Sequence, residues 1–286
     1  MQPALTHIFR YPVKSMGGHA LEQTELQING IPGDRCWTLK DEERGGIKGG
    51  KRFPELMAMQ AELCCEPNAA TPSPEAHITL PDGDVVSTLD PEAGARLTQA
   101  VGAPVSIWPL LPADQLDHYR RRPPEPDSDP AQAMRDVFAR IDGEPLPDLS
   151  QFPKDLFTYE SPPGTYFDAF PLLLMSRASL QSMATAYPQS MFDVRRFRPN
   201  LVVDTDTEGF PEDAWAGKTA TLGEATLKFE MPCPRCVMTT HGFRDMPKDP
   251  KVMRALVKEN GGNLGVYVSV VKPGTVRVGD RLEFSP

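Results

Sequence analysis

The stretch 231–240, Met-Pro-Cys-Pro-Arg-Cys-Val-Met-Thr-Thr, is the most informative part of the sequence. It places Cys233 and Cys236 in a Cys-x-x-Cys pair, with Pro232 directly before the first cysteine and Pro234 and Arg235 between the two. The preceding run, 225–230, alternates apolar and polar residues and therefore predicts a half-buried strand. The residues that follow the pair are rich in strand formers. We therefore expect the two cysteines at the end of a strand, on backbone stiffened by prolines.

A Cys-x-x-Cys pair is compatible with four interpretations. A redox disulfide usually sits at a helix N-terminus, and 237–240 is a poor first helical turn. Structural zinc needs four ligands, but only His241 lies nearby and the sequence has no second Cys-x-x-Cys. The cysteines could also be inert buried thiols, or one of them could bind a softer metal as a thiolate stabilised by Arg235. Spacing alone leaves all four open.

Length and charge restrict the class of protein. A chain of 286 residues holds one large domain or two of ordinary size. With 40% hydrophobic and 24% charged residues, the composition is typical of a globular protein with a substantial core. The net charge of −9 argues against nucleic acid or an anionic membrane as partner. An anionic ligand would need a local cluster of arginine and lysine.

Cysteine usage and hydropathy predict a cytoplasmic location. The five cysteines are odd in number, and the adjacent Cys64 and Cys65 suit a disulfide badly, which indicates a reducing compartment. Residues 1–15 contain no apolar segment of the kind found in secretory signals. The longest apolar run, 169–175, is far shorter than a membrane span.

The hydrophobic pattern predicts a mainly β fold with several helices, made of β-barrel and α+β elements. Short strands at regular spacing in the N-terminal third, with a hairpin around 81–84, indicate a barrel. The meander of short strands at 266–284 indicates a second barrel. The Pro-rich stretch 111–130 marks the boundary between an N-terminal barrel domain at 1–115 and a C-terminal domain at 116–286.

Three helices are predicted by an aspartate at the N-cap followed by proline, at Asp90, Asp129 and Asp249. The first and third end at glycines suited to the position after a helix, Gly102 and Gly261. The second is expected to place Met134, Val137, Phe138 and Ile141 in the core, because they share one helical face.

Several basic residues are candidates for anion contacts on this acidic chain. Lys14 precedes a glycine pair, and Arg35 begins the strand predicted at 35–39. The loop 44–54 combines four glycines with basic residues that include Lys48, Lys51 and Arg52. Three further arginines lie within 195–198, and they could be salt-bridge partners or a phosphate clamp. Each has an ordinary alternative as a loop or surface charge.

Taken together, segments spread along the chain resemble the MOSC-domain proteins, in the branch with an N-terminal MOSC-type β-barrel domain. The segments are Tyr-Pro-Val-Lys-Ser at 11–15, Gly-Asp-Arg at 33–35, 170–176 with Ala-Ser-Leu at 178–180, Phe-Arg-Pro-Asn at 197–200, Cys-Pro-Arg-Cys at 233–236, and Pro-Gly-Thr at 273–275 with Val-Gly-Asp at 278–280. Their order is the family's order. The characterised relatives are bacterial N-hydroxylated-base reductases and the mitochondrial amidoxime-reducing component.

The resemblance implies a molybdopterin-type molybdenum cofactor. It implies that Cys236 ligates molybdenum, that Cys233 is structural, and that Asp168 lies near the metal in a catalytic position. It further implies that the pterin and its phosphate are held by five basic and polar residues: Lys14, Ser15, Arg35, Arg198 and Asn200. We add Arg235 to this cofactor-binding set, because it lies beside the thiolate in sequence. The polar residues that can follow Asp168 in relatives are Ala169 and Phe170 here, so the resemblance does not extend to polar side-chain contacts from this segment.

Three functions follow from the resemblance. The first is a molybdenum oxidoreductase that reduces a small N-hydroxylated, N–O or S–O compound with electrons from a separate ferredoxin or flavin reductase type protein, because no ferredoxin-type cysteine cluster is present. The second is a sulfur carrier with a persulfide on Cys236, which would need a donor because no desulfurase domain with a pyridoxal-phosphate lysine is visible. The third is a non-catalytic carrier of the molybdenum cofactor.

Overall fold

The computed structural model describes residues 2–123 and 129–285. Its strands are β1 Ala4–Arg10, β2 His19–Leu21, β3 Gln23–Leu26, β4 Trp37–Asp41, β5 Ile47–Lys48, β6 Gln60–Leu63, β7 Ala76–Thr79, β8 Val85–Ser87, β9 Val105–Pro109, β10 Leu172–Ser176, β11 Leu201–Asp204, β12 Thr219–Leu222, β13 Ala225–Pro234, β14 Asn263–Lys272, β15 Gly274–Arg277 and β16 Leu282–Phe284. Its α-helices are α1 Ala93–Val101, α2 Leu116–Tyr119, α3 Pro130–Val137, α4 Arg177–Ala186, α5 Val194–Phe197 and α6 Lys251–Asn260. The mainly β fold with several helices is confirmed.

Eight strands form one sheet, in the order β16-β12-β13-β14-β10-β11-β1-β2. The sheet closes because the start of β1 also reaches β16: Leu282 N donates to Pro3 O at 2.8 Å, and Leu5 N donates to Asp280 O at 2.8 Å. The barrel interior is filled by residues such as Leu174, Leu227 and Phe229, which are completely buried. Closure leaves few free edges, which protects a sheet of this size from pairing with other chains.

Three smaller sheets complete the β structure. β15 pairs with β3, β5-β4-β9 form a second sheet, and β6-β7-β8 form a third. Buried side chains from the last two sheets and from α1 make a separate hydrophobic core. The expected hairpin around 81–84 is present, because β7 and β8 pair across it.

The first strands of the chain contribute to the C-terminal barrel. β1 pairs antiparallel with β11, and β2 pairs with β1 in the same sheet. Residues before 30 and residues after 170 therefore share one core. The division of the chain at residue 115 stays a prediction.

The predicted Asp-Pro helix starts are present with small differences. Asp129 caps α3 through its side chain, which accepts a hydrogen bond from Ala131 N. Asp90 and Asp249 make the equivalent bonds to the second amide that follows them, although α1 and α6 begin two or three residues later. Gly102 and Gly261 end α1 and α6 in the left-handed conformation, as expected.

The core predicted along α3 is wrong. The helix ends at Val137, so Ile141 lies beyond it and is 58% exposed. No residue within α3 is fully buried, and Phe138, directly after it, is the one member of the predicted face that packs in the interior. Ile141 continues the 3.6-residue period of apolar residues although the helix has already ended at Val137.

The described part of the chain has no helix with both the length and the apolar character needed to cross a lipid bilayer. The cytoplasmic location stays a prediction.

Phe229 tests how far the barrel depends on its packed interior. Its ring is fully buried and contacts Trp215 edge-on at 5.7 Å and Phe284 at 5.5 Å between ring centroids. We expect Phe229→Ala to lower the free energy of unfolding by about 3–5 kcal/mol, the usual cost of emptying a buried aromatic site. Urea denaturation measures it. The same substitution at Phe157, which is 63% exposed, should cost less than about 0.5 kcal/mol; equal effects would contradict this account of the core.

Candidate cofactor site at the Cys233–Cys236 pair

Cys236 lies just beyond the end of β13, as the sequence predicts, with its thiol partly exposed. The residues after it form a 3-10 turn, Val237–Thr240, instead of the extended run that their composition favours. The turn is held by Thr239, whose N–H and hydroxyl both donate to Cys236 O, at 3.2 and 3.0 Å. Short-range hydrogen bonding therefore overrides strand propensity and fixes the backbone that carries the thiol.

Cys233 differs from Cys236 because it is buried. Burial raises the pKa of the Cys233 thiol, although Arg235 opposes this by donating from Nη1 to the sulfur at 3.0 Å. Arg235 also donates from Nη2 to Phe197 O at 2.7 Å, while its Nε is buried without an acceptor. Cys233 is thus part of the packing that positions Arg235, in keeping with the structural role implied for it.

Two of the four interpretations of the pair lose support. Within residues 2–123 and 129–285, no set of three His, Cys, Asp or Glu ligand atoms close enough to share a metal includes Cys233 or Cys236, which disfavours structural zinc. The partial exposure of Cys236 disfavours a pair of inert buried thiols. Both thiols are free in the structure. A thiolate bound to a metal whose other ligands come from a cofactor remains compatible with this environment.

Arg198 is a buried cation with an unsatisfied donor. It ends α5 in the left-handed conformation (φ 55°), and its guanidinium lies 4.2 Å from the centre of the Tyr11 ring. Nη1 donates to Met16 O, but Nη2 is buried without any acceptor. Burial, reinforced by the positive charge of Arg35, lowers the pKa of Arg198 to about 10. A buried guanidinium in this state is stabilised by an anion.

Arg35 and Asn200 are engaged with the scaffold. Arg35 forms an ion pair with Asp34, and its guanidinium also lies over the Tyr11 ring at 5.3 Å. The Asn200 side-chain amide donates to Asp34 Oδ2 at 3.1 Å and to Phe9 O at 3.3 Å, and its oxygen accepts from Leu173 N at 3.3 Å. Asn200 therefore joins β1 to β10, and its predicted contact with a cofactor would add to this structural role.

Lys14 forms an ion pair with Asp168. Its ammonium donates to Asp168 Oδ1 and to Tyr166 O, both at 2.7 Å. Desolvation alone would raise the pKa of Asp168, but Lys14, Lys51 and Arg35 outweigh it and hold that pKa below its usual range. The carboxylate is about half exposed, so it is an ionised acceptor available at the edge of the site.

The glycine-rich basic loop packs against Ser15. Gly50 N donates to Ser15 Oγ at 2.8 Å, and a side chain at Gly49 would collide with the same oxygen. The loop also carries Lys51. Desolvation lowers the pKa of Lys51, but nearby Asp168 and Cys236 outweigh it and the net shift is upward. Lys51 thus places a positive charge in the neighbourhood of both the aspartate and the thiol.

Continuous contacts bring the predicted residues together. Arg198 reaches Met16 beside Ser15, Arg235 reaches Phe197 beside Arg198, and Ser15 Oγ lies 4.0 Å from the sulfur of Met238 in the turn after Cys236. The five cations of this site outnumber its two carboxylates, Asp34 and Asp168: the cations are Lys14, Arg35, Lys51, Arg198 and Arg235. A local positive field thus exists on a protein of net charge −9.

The arginine cluster at 195–198 does not act as one clamp. Arg195 is a surface residue paired with Asp193 at 2.9 Å and Asp245 at 3.0 Å. Arg196 is almost completely buried and donates to the carbonyls of Met191, Thr239, His241 and Pro247, so it anchors the segment after the cysteines. Arg198 alone of the three retains a buried donor without an acceptor.

Sequence reasoning missed the role of Tyr11 and named Lys51 only as part of a basic loop. The Tyr11 ring lies against both Arg35 and Arg198, and its hydroxyl donates to Pro199 O at 2.9 Å. Its position beside Lys14 in the Tyr-Pro-Val-Lys-Ser segment is a signal that could have identified it. No local pattern marks Lys51, because its neighbours at the site are distant in sequence.

Two family models match the chain. Residues 162–283 match the MOSC domain, and residues 2–88 match the MOSC N-terminal beta barrel domain. The chain therefore belongs to the MOSC-domain family, in the branch that carries this N-terminal domain. The resemblance drawn from the sequence is confirmed.

Curated relatives cover the chain to different extents. Mitochondrial amidoxime reducing component 2 of Homo sapiens is 36% identical over 128 residues, which are 40% of this chain and 37% of that protein. Mitochondrial amidoxime-reducing component 1 of Mus musculus is 26% identical over 310 residues, covering 96% of this chain and 80% of the relative. Molybdenum cofactor sulfurase of Danio rerio is 26% identical over 289 residues, covering 93% of this chain and 32% of the relative. The match thus spans little more than a third of the human relative.

The ion pair between Lys14 and Asp168 predicts a change in titration. In Lys14→Met, the pKa of Asp168 should rise, because desolvation then meets weaker opposition from Lys51 and Arg35. Carboxyl-carbon NMR over a pH series measures it. A depressed carboxylate pKa contributes stability that is present above the unfolded-state value and lost as pH falls through the folded-state value. The loss of folding stability at acid pH that Asp168 causes should therefore be smaller in the variant.

The control for this titration is Lys258→Met, which removes an exposed lysine whose nearest acidic partner is Glu259 at 3.9 Å. It should leave the pKa of Asp168 unchanged. An unchanged value in Lys14→Met would show that the ion pair does not control the carboxylate.

Proposed function

We propose that this protein binds a molybdopterin-type molybdenum cofactor and reduces small N-hydroxylated compounds. The support at family level is the MOSC domain and the similarity to proteins named amidoxime-reducing components. The observation that carries the proposal is local. Among the described residues, no group of candidate metal ligands includes the partly exposed thiol of Cys236. Arg235, next to it in sequence, and Arg198 each have one buried nitrogen without an acceptor.

The residues present fit such a group. Arg198 Nη2 and Arg235 Nε are buried donors that need acceptors, which a phosphate or an oxidised pterin can supply. Cys236 offers one soft ligand, which suits a metal that already carries sulfur ligands. Lys14, Ser15, Arg35 and Asn200 would hold the pterin and its phosphate with Arg198, on top of the scaffold contacts they already make.

When bound, the cofactor supplies the two-electron chemistry at molybdenum. Reduction of an N-hydroxyl group takes up two electrons and two protons, breaks the N–O bond, and releases the amine or amidine with one water. Cys236 would be the metal ligand of the protein, and Arg235, which binds the neighbouring Cys233, would keep positive charge beside it. The protein's task would be to orient the cofactor and to balance its charge.

We assign Asp168 the role of acceptor for the substrate. Its pKa lies below the usual range, so at neutral pH it holds no proton to donate. Its half-exposed carboxylate can accept hydrogen bonds from the N–H and O–H groups of an N-hydroxylated base. Lys14 fixes the carboxylate in place, which is the orientation that such binding requires.

Electrons would arrive from a separate protein of the ferredoxin or flavin reductase type. The described residues contain no four-cysteine group that could hold an iron–sulfur cluster, because the five cysteines are dispersed and free. We propose that the protein binds a small-molecule substrate and one electron-transfer protein. Nucleic acid and membranes are not among the proposed partners.

A second candidate function is sulfur transfer, with Cys236 as the site of a persulfide. It is favoured by the partial exposure of this thiol and by the similarity to a molybdenum cofactor sulfurase over 93% of this chain. The same features fit a non-catalytic carrier of the cofactor.

Cys236→Ser tests the metal ligand. Expressed in a host that makes the cofactor, the wild-type protein should contain about one molybdenum per chain. The variant should lose most of the metal while keeping its circular dichroism and its unfolding midpoint. Elemental analysis and pterin fluorescence measure both. Cys65→Ser, which changes an exposed thiol outside the site, should retain the metal.

The outcomes separate the three functions. Metal retention with reduction of amidoximes by a supplied electron donor supports the reductase, and retention without turnover supports a carrier. Absence of molybdenum from folded wild-type protein refutes both. A persulfide on Cys236, seen by mass spectrometry after incubation with a sulfur donor, would then favour sulfur transfer.

Arg198→Met tests the buried donor. Removing a charged hydrogen bond worth about 1.5–3 kcal/mol should weaken cofactor retention by about tenfold to a hundredfold. The stability of the cofactor-free protein should change much less, because the guanidinium is buried there with one donor unsatisfied. Cofactor release during dialysis and urea denaturation measure the two effects. Arg195→Met, at the surface ion pair, is the matched control and should leave retention unchanged.

A further inference from the structure

A second cluster of ligand-type side chains lies on the β6-β7-β8 sheet, away from Cys236. The inner face of this sheet carries Ala61, Ala76, Ile78 and Val86, all of which are completely buried. Because side chains alternate along a strand, the residues between them face the outside. On this outer face lie Glu62, Cys64, Glu75 and His77.

The register of the two strands places these side chains side by side. Glu62 lies opposite His77, and Cys64 N donates to Glu75 O at 2.8 Å. The ligand atoms of Cys64, Glu75 and His77 all lie within 4.8 Å of one another. They form the one group of three such residues with this spacing among residues 2–123 and 129–285.

One of the separations within this group has the size found between two ligands of a single zinc ion. His77 Nε2 lies 3.6 Å from Glu75 Oε1, slightly too far for a hydrogen bond. Ligands at about 2.0–2.3 Å from a tetrahedral metal are themselves about 3.4–3.7 Å apart. The histidine and the carboxylate therefore need little movement to share a metal.

Ser87 already orients the carboxylate. Its hydroxyl, on β8 opposite His77, donates to Glu75 Oε1 at 2.6 Å. A hydrogen bond to a ligating carboxylate from an outer residue is the arrangement that typically supports a metal ligand. Residues on or next to β6, β7 and β8 thus form one cluster in which the carboxylate is already oriented.

We propose that Cys64, Glu75 and His77 bind a zinc ion on the outer face of this sheet, with Glu62 or water as the fourth ligand. Thiolate, imidazole and carboxylate together are a donor set that suits zinc better than magnesium or calcium. The ion links β6 to β7 outside the hydrophobic core. The site is independent of the cofactor proposed at Cys236.

Zinc titration of the full-length protein under reducing conditions tests the site. A competing chromophoric chelator should report one tight ion for this cluster, and His77→Ala and Cys64→Ser should each raise its dissociation constant by at least about tenfold. Ser87→Ala should raise it by about tenfold, as expected for an outer-shell partner. Cobalt(II) in place of zinc should show thiolate-to-metal absorption that disappears in Cys64→Ser.

Two controls keep the result specific. Cys65→Ser removes the adjacent exposed thiol and His7→Ala removes an exposed histidine on β1, and neither should change the affinity. The measurements are repeated in Cys236→Ser, which removes the thiol of the first site as a competitor. Zinc binding that survives His77→Ala, or that disappears in Cys236→Ser, would overturn the proposal.

Discussion

The antiparallel pairing of β13 with β14 is the constraint on which the cofactor site depends. The ladder is regular from Leu227 to Phe229 and then shifts register at Pro232 and again at Pro234. Proline has no amide hydrogen to give to a ladder, so these positions belong at irregularities of a sheet. The shifts leave Cys233 inside the protein and bring Cys236 out to a partly exposed turn. One proline-bearing strand end thus gives two neighbouring cysteines different chemical environments.

The charge distribution follows from the same arrangement. Loops distant in sequence each contribute a cation to the candidate site: Lys14 after β1, Arg35 before β4, Lys51 after β5, and Arg198 before β11. Arg198 and Arg235 are removed from solvent, and each keeps one nitrogen without an acceptor, a state that an anionic ligand relieves. An acidic protein can thereby bind an anion without becoming basic overall, because its negative charge lies mainly elsewhere.

Much of the fold and of the candidate site could be predicted from the sequence, wherever near neighbours or a complete motif determine the structure. Alternation along 225–230 predicted β13, and Asp129 before a proline predicted α3, because both depend on near neighbours. The end of α3 could not be found from periodicity, since Ile141 continues the pattern after the helix has stopped. The separate tasks of Arg195, Arg196 and Arg198 were equally hidden, because tertiary contacts decide them. The contacts of Tyr11 and Lys51 with the site could not be assigned from the sequence, because the residues they lie near are distant in sequence and are brought close by the fold.

The placement of β1 has a consequence for how the chain is made. β1 precedes its distant partners, β11 and the residues just before and within β16, by roughly 200 to 280 positions, so it leaves the ribosome well before them. The barrel therefore cannot be sealed until β16 has been synthesised. Contacts so remote in sequence are slow to form, and until then β2 is the one partner strand that β1 can pair with. This topology accordingly requires that β1 avoid wrong pairings while the later strands of the barrel are being synthesised.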